Sequence, residues 1–194
     1  MIRLALLRHG HTAWNRARRI QGRTDIPLDA TAVAELGAQR LPPPWDTSAL
    51  WSSPLSRAVE TAELVGRRAP RTHPALIEMN WGDWEGCVAQ ELRDNPTHDH
   101  RDIETWGWNY TPPNGESPAA LRARLVPWAQ DLTEDTVAVC HIGVMRVLMA
   151  HATGWNFEGT APFVVKRNRL FVIEIDGARW RLQPEPVRLE RSIP

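Results

Sequence analysis

Short apolar runs and amphipathic segments alternate along this chain, a pattern typical of a β-sheet packed between helices. Two runs, residues 2–7 and 136–140, are almost continuously apolar, which predicts strands that are buried on both faces. Shorter strands are predicted at 48–52 and 74–77, and a hairpin is predicted over 170–182. The sheet is therefore expected to be mostly parallel, with an antiparallel edge strand.

The segments between these strands have the spacing of helices with one apolar face. The predicted helices are a short one within 11–26 and longer ones at 30–40, 53–68, 117–132 and 143–152. A serine followed by proline opens two of them, at Ser53 and Ser117, while Asp29 precedes another as its N-cap. Together these elements predict an α/β fold, a three-layer α/β/α sandwich. The tail after Gln183 is expected to be loose.

A polar, tryptophan-rich stretch interrupts this alternation. We expect residues 86–116 to form a small cap insertion of short helices and loops within a single domain that covers residues 1–194. Its tryptophans could stack on an aromatic or nucleoside-like substrate, but a small core of the cap is the preferred interpretation. The cluster of His98, Asp99, His100 and Asp102 lacks the spacing of a metal site, so no metal is expected there.

The composition is that of an ordinary globular protein of 194 residues. Lys plus Arg and Asp plus Glu both number 23, which argues against nucleic acid or an anionic membrane as the partner. Only two cysteines occur, Cys87 and Cys140, and Met1 to Leu7 is too short for a signal core, so a cytoplasmic location is expected. The sequence leaves the oligomeric state open.

Chemically useful side chains follow several of the predicted strands. Arg8 and His9 come after the first strand, Arg57 follows the second, Glu78 the third and His141 the fourth. Ligands of such sheets bind at the carboxyl ends of the strands, so these five residues are expected to meet at one edge.

These residue types together suit a phosphate ester. The planar guanidinium group of each arginine can donate two parallel N–H hydrogen bonds to phosphate oxygens. A neutral histidine can attack phosphorus. A carboxylic acid can protonate the leaving oxygen and later take a proton from water. The cationic groups stabilise the transferring phosphoryl group, so no metal or other cofactor is expected.

Six blocks of the sequence, in this order, are similar to the histidine phosphatase superfamily. They are R-H-G at 8–10 with Thr12 and Asn15, Q-G-R-T-D-I-P-L-D at 21–29, S-S-P-L-S-R-A-V-E-T-A at 52–62, L-I-E-M-N-W-G-D-W-E-G at 76–86, N-G-E-S at 114–117 and V-C-H-I-G-V-M-R at 139–146. The resemblance spans roughly residues 2–175 and is closest to the phosphatase branch, which includes α-ribazole phosphatase-like proteins.

The resemblance implies a role for each matching residue. His9 resembles the nucleophile that becomes phosphohistidine, and Glu78 resembles the general acid and base. The residues that resemble phosphate ligands are Arg8, Asn15, Arg57 and His141, together with the backbone at Ile142. Gln21, Gly22 and Arg23 are possible substrate contacts. The implied partner is a small phosphorylated metabolite.

Several positions depart from the family pattern or allow a second interpretation. His11 stands where an acidic residue or glutamine is usual, and Ile142 where glycine is usual. Glu85 competes with Glu78 as the acid, although we expect it to orient its loop. Thr12 and Asn15 could simply cap a helix. Arg23 could equally belong to a solvated face. Glu116 and Ser117 are expected to be structural.

Three functions remain open at this point. The preferred hypothesis is a metal-independent phosphomonoesterase with a phosphohistidine intermediate. A phosphoglycerate mutase is the alternative, but Met79 and Trp81 stand where mutases of this superfamily have Arg and Tyr for the substrate carboxylate, and the basic insertion is shortened. The third is a non-catalytic module that binds phosphorylated ligands.

Overall fold

The computed structural model describes residues 1–95 and 97–191. The strands are β1 (Ile2–Arg8), β2 (Gln39–Arg40), β3 (Ala49–Ser52), β4 (Arg71–Thr72), β5 (Thr136–Cys140), β6 (Arg169–Asp176), β7 (Arg179–Leu182), β8 (Val187–Arg188) and β9 (Glu190–Arg191). The α-helices are α1 (Ala13–Arg16), α2 (Ala30–Gly37), α3 (Ser56–Gly66), α4 (Ala89–Asp94), α5 (Pro118–Gln130) and α6 (Ile142–Thr153). Short 3₁₀ helices occupy Pro74–Leu76 and Gly82–Trp84.

Seven strands form the main sheet, in the order β4-β3-β5-β1-β6-β7, with β8 also paired to β6. The pairs β3–β4, β3–β5 and β1–β5 are parallel, whereas β6 pairs antiparallel with β1, β7 and β8. The strand β1 is therefore central, as its apolar sequence predicts. The predicted sheet, mostly parallel with an antiparallel edge, is confirmed.

Alternate residues of β1 point into two separate apolar layers. Leu4 and Leu6 lie in a core that includes residues of α5 and α6. Ala5 and Leu7 lie in the opposite core, with residues of α2 and α3. This alternation builds a sheet with helices on both faces, so the predicted three-layer α/β/α sandwich is also confirmed.

The predicted strand at 74–77 is wrong. Pro74–Leu76 forms a 3₁₀ helix whose first residue is proline, and the His73 side chain accepts a hydrogen bond from the Ala75 amide. Proline has no amide hydrogen to donate to a sheet and its φ is fixed, which favours the helical turn. The edge strand is β4, which lies just before this segment.

Two further predictions about element ends are wrong. Helix α3 begins at Ser56 rather than at Ser53, because the Ser53 hydroxyl instead accepts a hydrogen bond from the Leu55 amide and bonds to His141. The tail after Gln183 is not loose as far as residue 191, since β8 pairs with β6 and β9 pairs with β2. Residues 192–194, also part of the predicted tail, lie outside the described residues.

Aromatic rings pack together within the region predicted as a cap and in the segment just before it. Trp81 and Tyr110 both contact Trp84 and Trp106, with ring centroids 4.9–6.5 Å apart. Within the predicted cap, Trp106 is buried and Trp108 packs against the core that also contains residues of α5 and α6, so these tryptophans join the main core rather than a small core of the cap alone. Pro96 lies outside the described residues, and the cap boundaries at 86–116 within one domain stay a prediction. In the part of the chain that is described, no helix is long and apolar enough to cross a membrane.

Candidate active site

The ends of β1 and β5 place two histidines side by side. Arg8 pairs in register with Cys140 as the two strands end, and the His9 amide donates to the Cys140 carbonyl at 3.0 Å. His141 follows directly, and its ring centroid lies 5.1 Å from that of His9. Both histidines are buried. Parallel neighbours in the sheet thus bring the two rings to the same edge, as the sequence predicts.

The geometry of His9 leaves one ring nitrogen available. Its Nδ1–H donates to the Gly10 carbonyl at 2.7 Å, and this bond fixes the tautomer in which Nε2 has a lone pair. Burial lowers the pKa of His9 well below its usual value, and the neighbouring His141, Arg57, Arg167 and Arg8 lower it further. His9 is therefore neutral near pH 7, the state that a nucleophile requires.

Arg57, near the start of α3, is a fully buried cation. Its terminal nitrogens donate to the carbonyls of Thr24 and Gly22 at 2.9 and 2.6 Å, while its Nε has no partner among the described residues. Burial lowers the pKa of Arg57. The loop around residue 22 therefore orients this guanidinium.

Glu85 orders the loop that contacts Arg57. Its carboxylate accepts from the amides of Arg23 and Thr24 at 2.8 and 2.9 Å, from the Thr24 hydroxyl at 2.6 Å and from the Trp81 amide at 3.3 Å. These donors hold the pKa of Glu85 below its usual value despite burial. The contact with the Trp81 amide lies in the loop of Glu85 itself, as predicted, while the other three order the neighbouring loop at residues 23–24.

Two more polar groups at this edge lack protein partners. Arg8 Nε and His141 Nδ1 are buried and make no hydrogen bond to the described residues, although His141 Nε2 lies 2.7 Å from the Ser53 hydroxyl oxygen. Burial lowers the pKa of Arg8 to about 10 and that of His141 well below its usual value. Buried polar groups normally have partners, so this set indicates a place for an anionic ligand.

Glu78 reaches the site from the loop after the first 3₁₀ helix. Its two carboxylate oxygens accept from the Met79 amide at 2.8 Å and the Gly143 amide at 3.1 Å. Burial raises the pKa of Glu78, and these amides and Arg57 and Arg8 only partly oppose that rise. The side chain is buried, so its protonated form persists to higher pH than in an exposed glutamate.

Asn15 and Thr12 form a capping box at the start of α1. The Asn15 amide nitrogen also donates to Gln21 Oε1 at 3.2 Å, and that oxygen accepts from the Thr12 hydroxyl at 3.0 Å. The capping interpretation is thus confirmed, while a contact of Asn15 with phosphate stays a prediction. Gln21 Nε2 is buried without a partner among the described residues.

The remaining predicted contacts lie around the same edge. Arg23 donates from Nε to the Glu78 carbonyl at 3.4 Å and forms an ion pair of 3.3 Å with Glu116. Ile142 is half-buried as the first residue of α6. The contacts of Gln21, Gly22, Arg23 and Ile142 with substrate stay predictions. Glu116 also pairs with Arg124 at 3.1 Å, and Ser117 caps α5, so the structural interpretation of both is confirmed.

The sequence analysis missed one cation at this site, Arg167. Its guanidinium donates to the carbonyls of His9 and Gly10 and to the side-chain oxygen of Asn15, the last two at 3.0 Å. Burial, with the nearby Arg8, lowers the pKa of Arg167 to about 9. Arg167 lies in the loop before β6 and in none of the six sequence blocks, so no motif indicates it.

The site as a whole combines an uncharged nucleophile with nearby cations and a buried acid. The charges of Arg8 and Arg57 lower the pKa of both His9 and His141. The two histidine rings are in contact. Glu78 acts on the pKa of both arginines. The structure therefore brings together all five residues that the sequence places at strand ends, and their individual catalytic roles stay predictions.

Comparisons with known proteins agree on one family. A model of the histidine phosphatase superfamily (branch 1) matches residues 4–184. Phosphoglycerate mutase-like protein 4 of Arabidopsis thaliana is 31% identical over an alignment of 197 positions, gaps included, that covers 93% of this chain and 83% of that protein. An acid phosphatase of Mycobacterium tuberculosis is 33% identical over 125 residues, which cover 63% of this chain and 59% of that enzyme.

A solved structure has the same fold. The crystal structure of phosphoglycerate mutase from Thermus thermophilus matches with a TM-score of 0.75 and 30% sequence identity. The match covers 97% of this chain and 100% of that one. The similarity therefore extends over the whole sheet and its helices.

Proposed function

The chain belongs to the histidine phosphatase superfamily, branch 1, and we propose that it hydrolyses phosphomonoesters of small metabolites without a metal, through phospho-His9. Membership confirms the resemblance found in the sequence blocks and makes the protein an enzyme of the phosphatase type. It also supports phosphoryl transfer as the chemistry. The hydrolytic outcome, the metal independence and the substrate are our proposal.

One observation supports this proposal above the others. Arg8 Nε, Arg57 Nε and His141 Nδ1 are all buried and unpaired within the described part of the chain, next to a neutral His9. Leaving such groups without partners is unfavourable by about 1–3 kcal/mol each, and more for charged groups. A phosphoryl dianion would satisfy all three, so the site fits a phosphate ester.

The proposed first step transfers the phosphoryl group to His9. Nε2 attacks phosphorus, the N–P bond forms and the bond to the leaving oxygen breaks, while Glu78 donates its proton to that oxygen. Arg8, Arg57 and His141 stabilise the charge on the transferring group. The Gly10 carbonyl, which accepts from Nδ1–H, holds the imidazole in place throughout.

The proposed second step releases phosphate. Glu78 is now a carboxylate and takes a proton from water, whose oxygen attacks phosphorus as the N–P bond breaks. His9 and protonated Glu78 are restored.

Replacement of the nucleophile tests this mechanism. In His9→Ala, turnover of phenyl phosphate should fall at least about 10⁴-fold, because no phosphoenzyme can form. Wild-type protein mixed with radiolabelled phosphate ester and quenched in alkali should retain label on His9, since phosphohistidine is stable to base. His98→Ala, which replaces an exposed histidine, should keep wild-type activity and labelling.

Other results would overturn the proposal. Near-native activity of His9→Ala would exclude His9 as the nucleophile. Loss of activity in excess EDTA would exclude metal independence. Absence of both turnover and label on wild-type protein would favour a non-catalytic phospho-ligand-binding module.

A mutase remains the second candidate because several relatives are named 2,3-bisphosphoglycerate-dependent phosphoglycerate mutase. Against it, Met79 is buried in the apolar core and offers no cation for a substrate carboxylate. Isomerisation of 2- and 3-phosphoglycerate that depends on a bisphosphoglycerate primer, at a rate above phosphate release, would favour the mutase.

A further inference from the structure

A cavity of about 280 Å³ is lined in part by Arg146, whose charge interacts with Arg8 and Glu78 of the candidate active site. Its lining includes Ile20, Trp81, His100, Glu104, Trp106 and Arg146. We call it the Arg146 cavity. It combines apolar walls with an arginine that the proposed mechanism does not use.

No side chain among the described residues hydrogen-bonds to Arg146 or forms an ion pair with it. Arg146 is half-buried on α6. Glu78 and Glu104 are the carboxylates whose charge acts on it, and burial still lowers the pKa of its guanidinium. A desolvated, unpaired guanidinium is unfavourable, and an anion that binds to it would remove that penalty.

The other two arginines of the cavity are already paired. Arg93 forms an ion pair of 3.2 Å with Asp102, and Arg101 forms one of 2.9 Å with Asp99. Their charges are therefore compensated by neighbours in the chain. Within the described residues, Arg146 is the arginine of this cavity that remains for a ligand.

The position of the cavity suits the leaving group of a phosphate ester. Trp81 follows Glu78 by three residues, and the charge of Arg146 acts on the pKa of Arg8. Arg146 lies one helical turn beyond Ile142, which is the first residue of α6 and whose backbone is a predicted phosphate contact. Four residues of helix rise about 6 Å, which is close to the span of a para-substituted benzene ring.

We propose that Arg146 binds an anionic oxygen group on the leaving group, either a carboxylate or a second phosphate. This inference rests on the proposed phosphomonoesterase function and narrows its substrates to phosphomonoesters with a second anionic group. Trp81 and Trp106 give the cavity apolar walls for the carbon framework between the two anions. A guanidinium suits both anions because each accepts two parallel hydrogen bonds.

Four matched aryl phosphates test this inference. They are phenyl phosphate, 4-carbamoylphenyl phosphate, 4-carboxyphenyl phosphate and 1,4-phenylene bisphosphate. The carbamoyl ester has nearly the shape of the carboxyl ester but no charge. We expect wild-type kcat/KM to favour the carboxyl ester over the carbamoyl ester by about 10- to 100-fold, the effect of one charged hydrogen-bonded contact.

Variants assign that preference to Arg146. In Arg146→Met the ratio of the two kcat/KM values should fall to near one, while Arg146→Lys, which keeps the charge, should retain part of it. Arg122→Met is the matched control. Arg122 is an exposed arginine on α5 whose guanidinium lies over the Trp108 ring, and the Arg122→Met variant should keep the wild-type ratio. The bisphosphate arm shows whether a second phosphate is preferred to a carboxylate.

The outcomes separate this inference from the proposed function. Wild-type hydrolysis of all four esters with no preference for the anionic ones would overturn the inference and leave the phosphomonoesterase intact. The same applies if folded Arg146→Met keeps the full preference. Failure of the wild-type protein to hydrolyse any of the four would overturn both.

Discussion

Arg167 acts on the same carbonyl that orients the nucleophile. Gly10 O accepts from His9 Nδ1–H and also from the Arg167 guanidinium, which in addition binds the His9 carbonyl and Asn15. The cation holds the backbone turn and its charge disfavours a proton on His9. Arg167 is therefore a positioning residue, which we expect to keep His9 neutral in acid.

Replacing Arg167 should change both rate and pH profile. In Arg167→Met, kcat/KM should fall by up to about 10²-fold, because the turn at residues 9–10 loses its donors. Removal of a cation also raises the pKa of His9, so the acidic limb of the kcat/KM profile should move to higher pH. Lys166→Met, which removes an exposed neighbouring cation, should leave the limb unchanged. If the acidic limb of the kcat/KM profile does not shift in Arg167→Met, Arg167 does not influence the protonation of His9 and has only a structural role.

At the scale of elements, the start of α6 explains how Ile142 is tolerated. The amide that binds Glu78 belongs to Gly143, one residue later, and a Cβ at Gly143 would lie 2.4 Å from Glu78 Oε1. The site therefore requires glycine at position 143, and a side chain is tolerated at position 142. This contact connects the helix directly to the proposed acid.

Alanine at Gly143 should displace Glu78 without unfolding the protein. Alanine favours a helix over glycine by about 1 kcal/mol, and the tightest contact of its Cβ is with Glu78 Oε1, ahead of Met79 Cβ at 3.3 Å, so the main loss comes from the contact with the carboxylate. We expect turnover of phenyl phosphate to fall by about 10²-fold, near the contribution of general acid catalysis, while the melting temperature changes little. The control is Gly37→Ala in α2, because a Cβ there meets no atom within 4 Å. Full activity of Gly143→Ala would contradict the close packing of Glu78 against α6.

Errors in the predicted elements arise where short segments have two explanations. Residues 74–77 are apolar enough for a strand, but Pro74 and the His73 side chain favour a 3₁₀ turn. Ser53 precedes proline as helix caps do, yet its hydroxyl bonds to His141, which is distant in sequence. Periodicity and capping rules do not contain such tertiary contacts.

At the scale of the whole molecule, the site combines buried histidines and a buried glutamate whose pKa shifts have opposite effects on stability. His9 and His141 have pKa values well below the unfolded value of about 6.5, so the unfolded chain binds more protons as pH falls. Their contribution to stability is present above pH 6.5 and is lost below it. The raised pKa of Glu78 acts the other way, because its contribution is lost as pH rises.

The free energy of unfolding should therefore fall on acidification. The two histidines lower it as pH falls, and together they outweigh the opposite effect of the single glutamate. Each histidine should lower the free energy of unfolding by about 1.4 kcal/mol per pH unit below the unfolded pKa. Urea unfolding at pH 5.0 and 7.5, in phosphate-free buffer, measures the slope. His9→Gln should reduce it, whereas His98→Gln, at an exposed position, should not. An equal slope in His9→Gln would show that His9 is not held neutral in the folded protein.

The overall architecture is more predictable from sequence than the full set of site residues. The apolar runs of β1 and β5 and the rule for strand ends are enough to bring Arg8, His9 and His141 together. Sequence patterns do not single out Arg167 or Arg146 as site residues, because their significance depends on what lies beside them in the fold. The tail strand β9 escapes prediction for the same reason, since its partner β2 is distant in sequence.

The edges of the main sheet have a consequence for how molecules behave at high concentration. At one edge β4 contains only two residues, both exposed, and Arg71 is one of them. At the other, β7 presents the exposed side chains of Arg179 and Arg181. Short edge strands and charged side chains obstruct the addition of another strand. Growth of the sheet from molecule to molecule is therefore disfavoured, which protects the folded protein from aggregation through its edges.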